Sequence, residues 1–159
     1  MNKVIILIVG LIVGVAATVA IGGAAMPSMM LEVRQSRLAF DETVTAIETA
    51  AINQGWQVPK IYDLQQSLIK AGHENMTRMR ILSLCQPDHA YNILSDDKNK
   101  MVAAMMPCRI GVFETADGKV YVSQMNIGLM SKLFGGKIEE VMGKVATEEE
   151  TMLRDLLIH

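Results

Sequence analysis

The chain has 159 residues, 50% of them hydrophobic, and a formal net charge of −2 at pH 7. Setting Lys3 aside leaves 14 of the 15 basic residues against 17 acidic ones. That balance excludes the basic face that nucleic-acid binding needs and any polybasic grip on anionic lipid. Methionine occurs 13 times and aromatics make up only 4% of the chain, so thioethers take the place of rings as large apolar side chains.

From Val4 to Ala25 the chain carries no charge: VIILIVGLIVGVAATVAIGGAA. As a helix rising about 1.5 Å per residue, it is long enough for a hydrocarbon core about 30 Å thick. A cleaved signal peptide is the competing reading, with Gly23, Ala24 and Ala25 as the small residues before a cut. The apolar run is longer than a signal core needs, which favours an anchor. Lys3 before the run places the N-terminus in the cytoplasm under the positive-inside rule, and the remainder outside the inner membrane, in the periplasm of a two-membrane cell. Gly10, Gly14, Thr18 and Gly22 form a small-residue ridge of the kind that lets membrane helices approach one another, though small residues are also common in single-pass anchors. Residues 1–28 are therefore read as anchor and short linker, the linker being Met26 to Ser28, and residues 29–159 as one exported domain.

Met29 to Gln35 alternates and predicts a strand. Asp41 is the expected N-cap of a helix whose apolar stripe is Phe40, Val44, Ile47 and Ala51, stopped by Gly55. Trp56 to Ile61 reads as a short extended piece whose Pro59 makes it an edge or a bend. Asp63 opens a short helix to Lys70, closed by Gly72. Arg78 to Cys85 alternates with a mixed face of Arg78, Arg80, Leu82 and Leu84. Pro87 suits the first turn of a helix reaching Leu94. Ser95 to Lys100 reads as a solvated loop, and Met101 to Met106 as a short strand. Arg109–Thr115 and Lys119–Asn126 flank Ala116-Asp117-Gly118 as a hairpin. Ile138, Val141, Met142 and Val145 make a helical stripe. Thr147 with Glu150 predicts a capping box and hence a break in the last helix. Strands and helices mixed with antiparallel hairpins place the domain in the α+β class.

Cys85-Gln86-Pro87, Met106-Pro107-Cys108-Arg109, Gly111-Val112-Phe113-Glu114, Asp117-Gly118-Lys119-Val120 and Met125-Asn126 occur in that order. With Gly55-Trp56-Gln57-Val58 upstream, this arrangement resembles the "domain of unknown function 302" family of bacteria and archaea, over roughly Leu31 to Leu157. The resemblance implies a β-α-β(4)-α arrangement similar to the TATA-binding-protein fold, and a homodimer. It implies no reaction and no DNA function.

The residues that carry chemistry leave several readings open. Cys85 and Cys108 are the two cysteines. They could be buried structural residues, a disulfide, or a redox pair, although no Cys-x-x-Cys is present to lower a thiol pKa. His89 lies four residues after Cys85 and could join it and nearby methionines at copper or haem. Arg109 could clamp an anion or pair with Glu114. Gly135-Gly136 opens the last helix and could cradle an anion or act as a hinge. Asp63, Glu74, Asp96 and Asp97 have no evident partner base, and no Ser-His-Asp order, Walker loop or dinucleotide fingerprint occurs. The expectation is a membrane-tethered, non-catalytic binding or assembly module, homodimeric, on a lipid bilayer, with an unknown small ligand at Cys85, Cys108, Arg109 and His89 and with no cofactor. A thiol-redox protein and a soft-metal or haem carrier are the alternatives.

Overall fold

The computed structural model describes residues 3–158. An apolar helix, α1 (Lys3–Met30), leads into β1 (Leu31–Gln35), α2 (Phe40–Asn53), β2 (Gln57–Asp63), α3 (Leu64–Lys70) and β3 (Met79–Cys85). There follow α4 (Pro87–Leu94), a 3-10 segment (Asp97–Met105), the hairpin β4 (Cys108–Glu114) and β5 (Val120–Met125), α5 (Ile127–Ser131) and α6 (Gly136–Leu153). The strands form one antiparallel sheet in the order β1-β5-β4-β3-β2. With α2 and α6 as the two major helices, this is the α+β arrangement expected.

Alternation sets the core. Leu82 and Leu84 of β3, Ile110 and Val112 of β4, and Val120 and Val122 of β5 share one buried face of the sheet. The stripe Phe40, Val44, Ile47 and Ala51 of α2 packs there, as do Val145, Met152 and Leu153 of α6. Burial of each large side chain stabilises the fold by about 1.5–3 kcal/mol. The mixed face of β3 is explained at its far end. Arg78 and Arg80 lie 4.8 and 5.4 Å from the Phe40 ring centre, with their guanidiniums directed to Asp41 and Glu114.

Four local expectations are corrected. α1 does not give way to a linker at Met26–Ser28. It continues through Pro27 to Met30, whose carbonyl accepts the Asn126 N–H at 2.8 Å, so the helix runs directly into the sheet. Asp41 is not the cap of α2. The helix starts at Phe40, Glu42 accepts the Ala39 N–H at 3.3 Å, and Asp41 bonds Arg80 at 2.8 Å instead. Met101–Met106 is no strand; residues Asp97–Met105 form a 3-10 segment that buries Val102 beside Ile93, Ile138 and Val141. Finally, α6 does not break at Thr147. The Thr147 hydroxyl donates to the Gly143 carbonyl at 3.1 Å, and the next two residues are held by tertiary contacts. Gly135 and Gly136, at φ +66° and +56°, make the left-handed turn that starts this helix, a conformation other residues rarely adopt. That geometry accounts for the pair as a helix start.

Candidate functional site

The site forms where the ends of β3 and β4 meet α4 and α6. Pro87 begins α4 directly after β3, and Gln86 caps it by accepting the His89 N–H at 2.9 Å. This local geometry turns α4 back across the strand ends. His89 Nε2 then meets Glu148 Oε1 of α6 at 2.9 Å. A carboxylate only accepts, so the Nε2 proton points at Glu148 and Nδ1 remains as the ring's other hydrogen-bonding atom. Trp56 Nε1 donates to Glu148 Oε2 at 2.8 Å, and the indole meets the imidazole edge-on with ring centres 6.3 Å apart. One carboxylate therefore fixes two rings.

These rings border a cleft of about 440 Å³ whose walls include Cys85, Cys108, Ala90, Met106 and Met142. Cys85, Cys108 and His89 are thus brought together as the sequence suggests. Arg109 is not. In an antiparallel pair neighbouring residues point to opposite faces, and Arg109 pairs with Ser83 on the outer side while Cys108 pairs with Leu84 on the inner side. Arg109 is solvent-exposed, and its expected partner Glu114 is held by Arg78 in two bonds of 2.9 Å. His73 is also exposed and stands on the loop after α3, away from the cleft walls.

The two cysteines are free. Register supplies a reason: Leu84, not Cys85, is opposite Cys108, so the pair is offset by one residue. The Cys108 thiol shares a hydrogen bond with Glu149, and burial together with that carboxylate raises its pKa far above the ordinary thiol range. It is a protonated thiol at neutral pH, the opposite of an activated nucleophile. Glu149 is 2% exposed, and burial raises its carboxyl to about 7, with Glu32 adding to the effect and the Cys108 hydrogen bond opposing it. Its Oε1 has no hydrogen-bond partner among the described residues. Glu149 also borders a separate polar cavity of about 160 Å³ shared with Glu32, Gln124, Asn126 and Glu150.

Trp56, Glu148 and Glu149 are the site residues that sequence reasoning missed. The chain has one tryptophan, and its side chain has to bury its ring and pair its N–H. Glu149 also carried a signal: it stands in the four-residue series Val141, Val145, Glu149, Leu153, an acid inside an apolar helix stripe. No group of three His, Cys, Asp or Glu residues is placed to hold a metal ion among the described residues.

No curated protein matches the chain. Among solved structures, the chain is similar to an uncharacterized conserved DUF302 protein from Bacillus stearothermophilus, with a TM-score of 0.71 at 19% identity, covering 80% of this chain and 98% of that one. At that identity the likeness speaks for the fold. The family model described as "Domain of unknown function DUF302" matches residues 31–158, from the first residue of β1 to the strand-like pairing beyond α6 that ties Ser36 to Leu157. With a family match over that much of the chain, and a similar fold in a solved structure, this protein belongs to the DUF302 family.

Proposed function

We propose that the domain is a non-catalytic binding module that takes a small, largely apolar ligand in the cleft beside His89 and is held at a membrane by α1. The cleft carries the reading. At about 440 Å³ it has the size of a small-molecule site, its walls are mainly apolar, and one polar group, the His89–Glu148–Trp56 unit, is fixed at its edge. Nδ1 of His89 supplies the orienting hydrogen bond. The thiol-redox alternative has less support, because burial and Glu149 hold Cys108 in its protonated form.

Trp56 offers a direct test. As the single tryptophan and a wall of the cleft, it reports occupancy through its emission. Screening small apolar hydrogen-bonding compounds against the full chain in mild detergent should yield saturable emission shifts that Ala90→Trp, filling the cleft and read by displacement of a labelled hit, removes. A library without a saturable hit, or hits indifferent to Ala90→Trp, would reject the cleft.

Membrane attachment rests on α1, whose best 18-residue window has a mean hydropathy of 2.6 and none of it buried against the domain. The ridge of Gly10 and Gly14 is open, and the Thr18 hydroxyl is satisfied by the Gly14 carbonyl at 2.9 Å. A cytoplasmic N-terminus and a periplasmic domain follow from Lys3. The protein should resist alkaline extraction from membranes; recovery of a mature soluble chain starting near Met26 would show a cleaved leader instead. Homodimerisation is supported by the outer sheet face, where Phe113 and Tyr121 stack 5.6 Å apart beside exposed Val33. Sedimentation in detergent should report two chains per particle.

A further inference from the structure

Two cavities adjoin at α5, and thioethers wall both. One is a chamber of about 30 Å³ between the 3-10 segment, β5, α5 and α6, lined by Met105, Met106, Met125, Met130 and Met142 together with Cys108. The other is a groove of about 400 Å³ between the end of α1 and α5, lined by Met26, Met30, Met125 and Met130. Met125 and Met130 belong to both. Methionine residues therefore line a continuous path of walls from the end of the apolar helix to Cys108.

Chemistry limits what the chamber can hold. Its volume suffices for one atom-sized occupant, since a water needs about 10–15 Å³ by the same kind of measure. A water also needs two to four polar partners. Among the described lining side chains Ser131 alone carries oxygen, and its hydroxyl donates to the Gly128 carbonyl at 3.2 Å. A hard cation needs several oxygen ligands, which this wall lacks. Thioether and thiolate sulfur are the donors that select soft ions, Cu(I) first among them.

We propose that the chamber is a Cu(I) site, with Cys108 as thiolate ligand, methionine thioethers from the 3-10 segment, α5 and α6 completing the shell, and the α1–α5 groove as its entrance. Binding forms one copper–sulfur bond at Cys108 and breaks its S–H bond. The proton leaves to solvent and copper stays Cu(I), so no electron donor or acceptor is required. The proposal does not rest on the cleft reading, although the two cavities adjoin. Cleft and chamber share Met106, Cys108 and Met142 and differ in the rest of their walls.

The test uses the full chain in mild detergent without oxygen, with Cu(I) supplied from a coloured chelator of known affinity. One ion per chain should transfer, with one proton released and a sulfur-to-copper absorption appearing in the ultraviolet. Met105→Leu with Met142→Leu, a volume-conserving pair, should weaken retention by more than about tenfold while Trp56 emission remains native. Cys108→Ala should remove the absorption band. Ala90, which lines the cleft and not the chamber, can be changed to Trp without loss of uptake, so failure of the cleft reading leaves this one standing. No transfer from the chelator, or equal retention by the double methionine variant, would show that the methionines only fill space.

Discussion

The two ends of β4 hold the same chemical group in opposite conditions. At one end Glu114 is partly exposed and takes two bonds from Arg78, which hold its carboxyl below the usual range. At the other, Cys108 meets Glu149, which burial raises to about 7 and whose second oxygen is unpartnered among the described residues. The first arrangement belongs to a solvated surface, where ion pairs contribute little. The second retains a buried acid that packing alone would replace with an apolar residue. Leaving such a group unpartnered is costly, and in a family fold the cost falls beside the cleft and the methionine chamber. The difference is the reason for placing the proposed site at the Cys108 end.

The largest expected effect is on Glu149. Its folded pKa is raised above the value of about 4.5 for the free carboxyl, so the folded state holds the proton more tightly than the unfolded state. The stability this confers is present below the unfolded pKa and is lost as pH rises from about 4.5 to about 7. The full swing is about 3 kcal/mol by linkage. Denaturant unfolding followed by Trp56 emission should show this slope, and Glu149→Gln should flatten it and stabilise the domain at pH 8. A slope unchanged in Glu149→Gln would place the titration elsewhere.

A smaller effect is expected from Glu148→Gln. The amide can still accept from one ring but not pair with both as a carboxylate does, so a loss of about 1–2 kcal/mol should appear with a shift of the Trp56 spectrum. An unmoved spectrum would detach Trp56 from the His89 unit. Kinetics sharpen the comparison next: at pH 7.5 a thiol probe should label Cys108 of the native chain more slowly than a free cysteine, because little thiolate is present. Fast labelling at Cys108 would revive the redox reading. The smallest change belongs to the Glu114 end, where Arg78→Met, which keeps cover over Phe40, should alter stability only slightly and added salt should erase the difference. A loss as large as that from Glu149 would overturn the contrast between the ends.

Short-range physics made much of this protein legible in sequence. Period-four stripes announced α2 and the first half of α6, alternation announced β3 and the hairpin, Pro87 announced α4, and the apolar run announced α1. Each of these signals lies within one element, where spacing alone decides which side chains share a face. Tertiary structure decided the rest. Met101–Met106 carries a strand-like run of apolar residues, but packing of Val102 against Ile93, Ile138 and Val141 holds it in a 3-10 segment instead. Thr147 and Glu150 have the form of a cap, yet contacts of Glu148 with Trp56 and His89 keep α6 continuous. Arg109 and Cys108 are adjacent in the chain and face opposite sides of the sheet, so the site takes one and leaves the other in water. The sequence by itself determined the class of fold, most of the elements and the pair of thiols. Which carboxylates join those thiols depends on residues more than thirty positions apart, and only packing of α6 across the strand ends brings them within bonding distance.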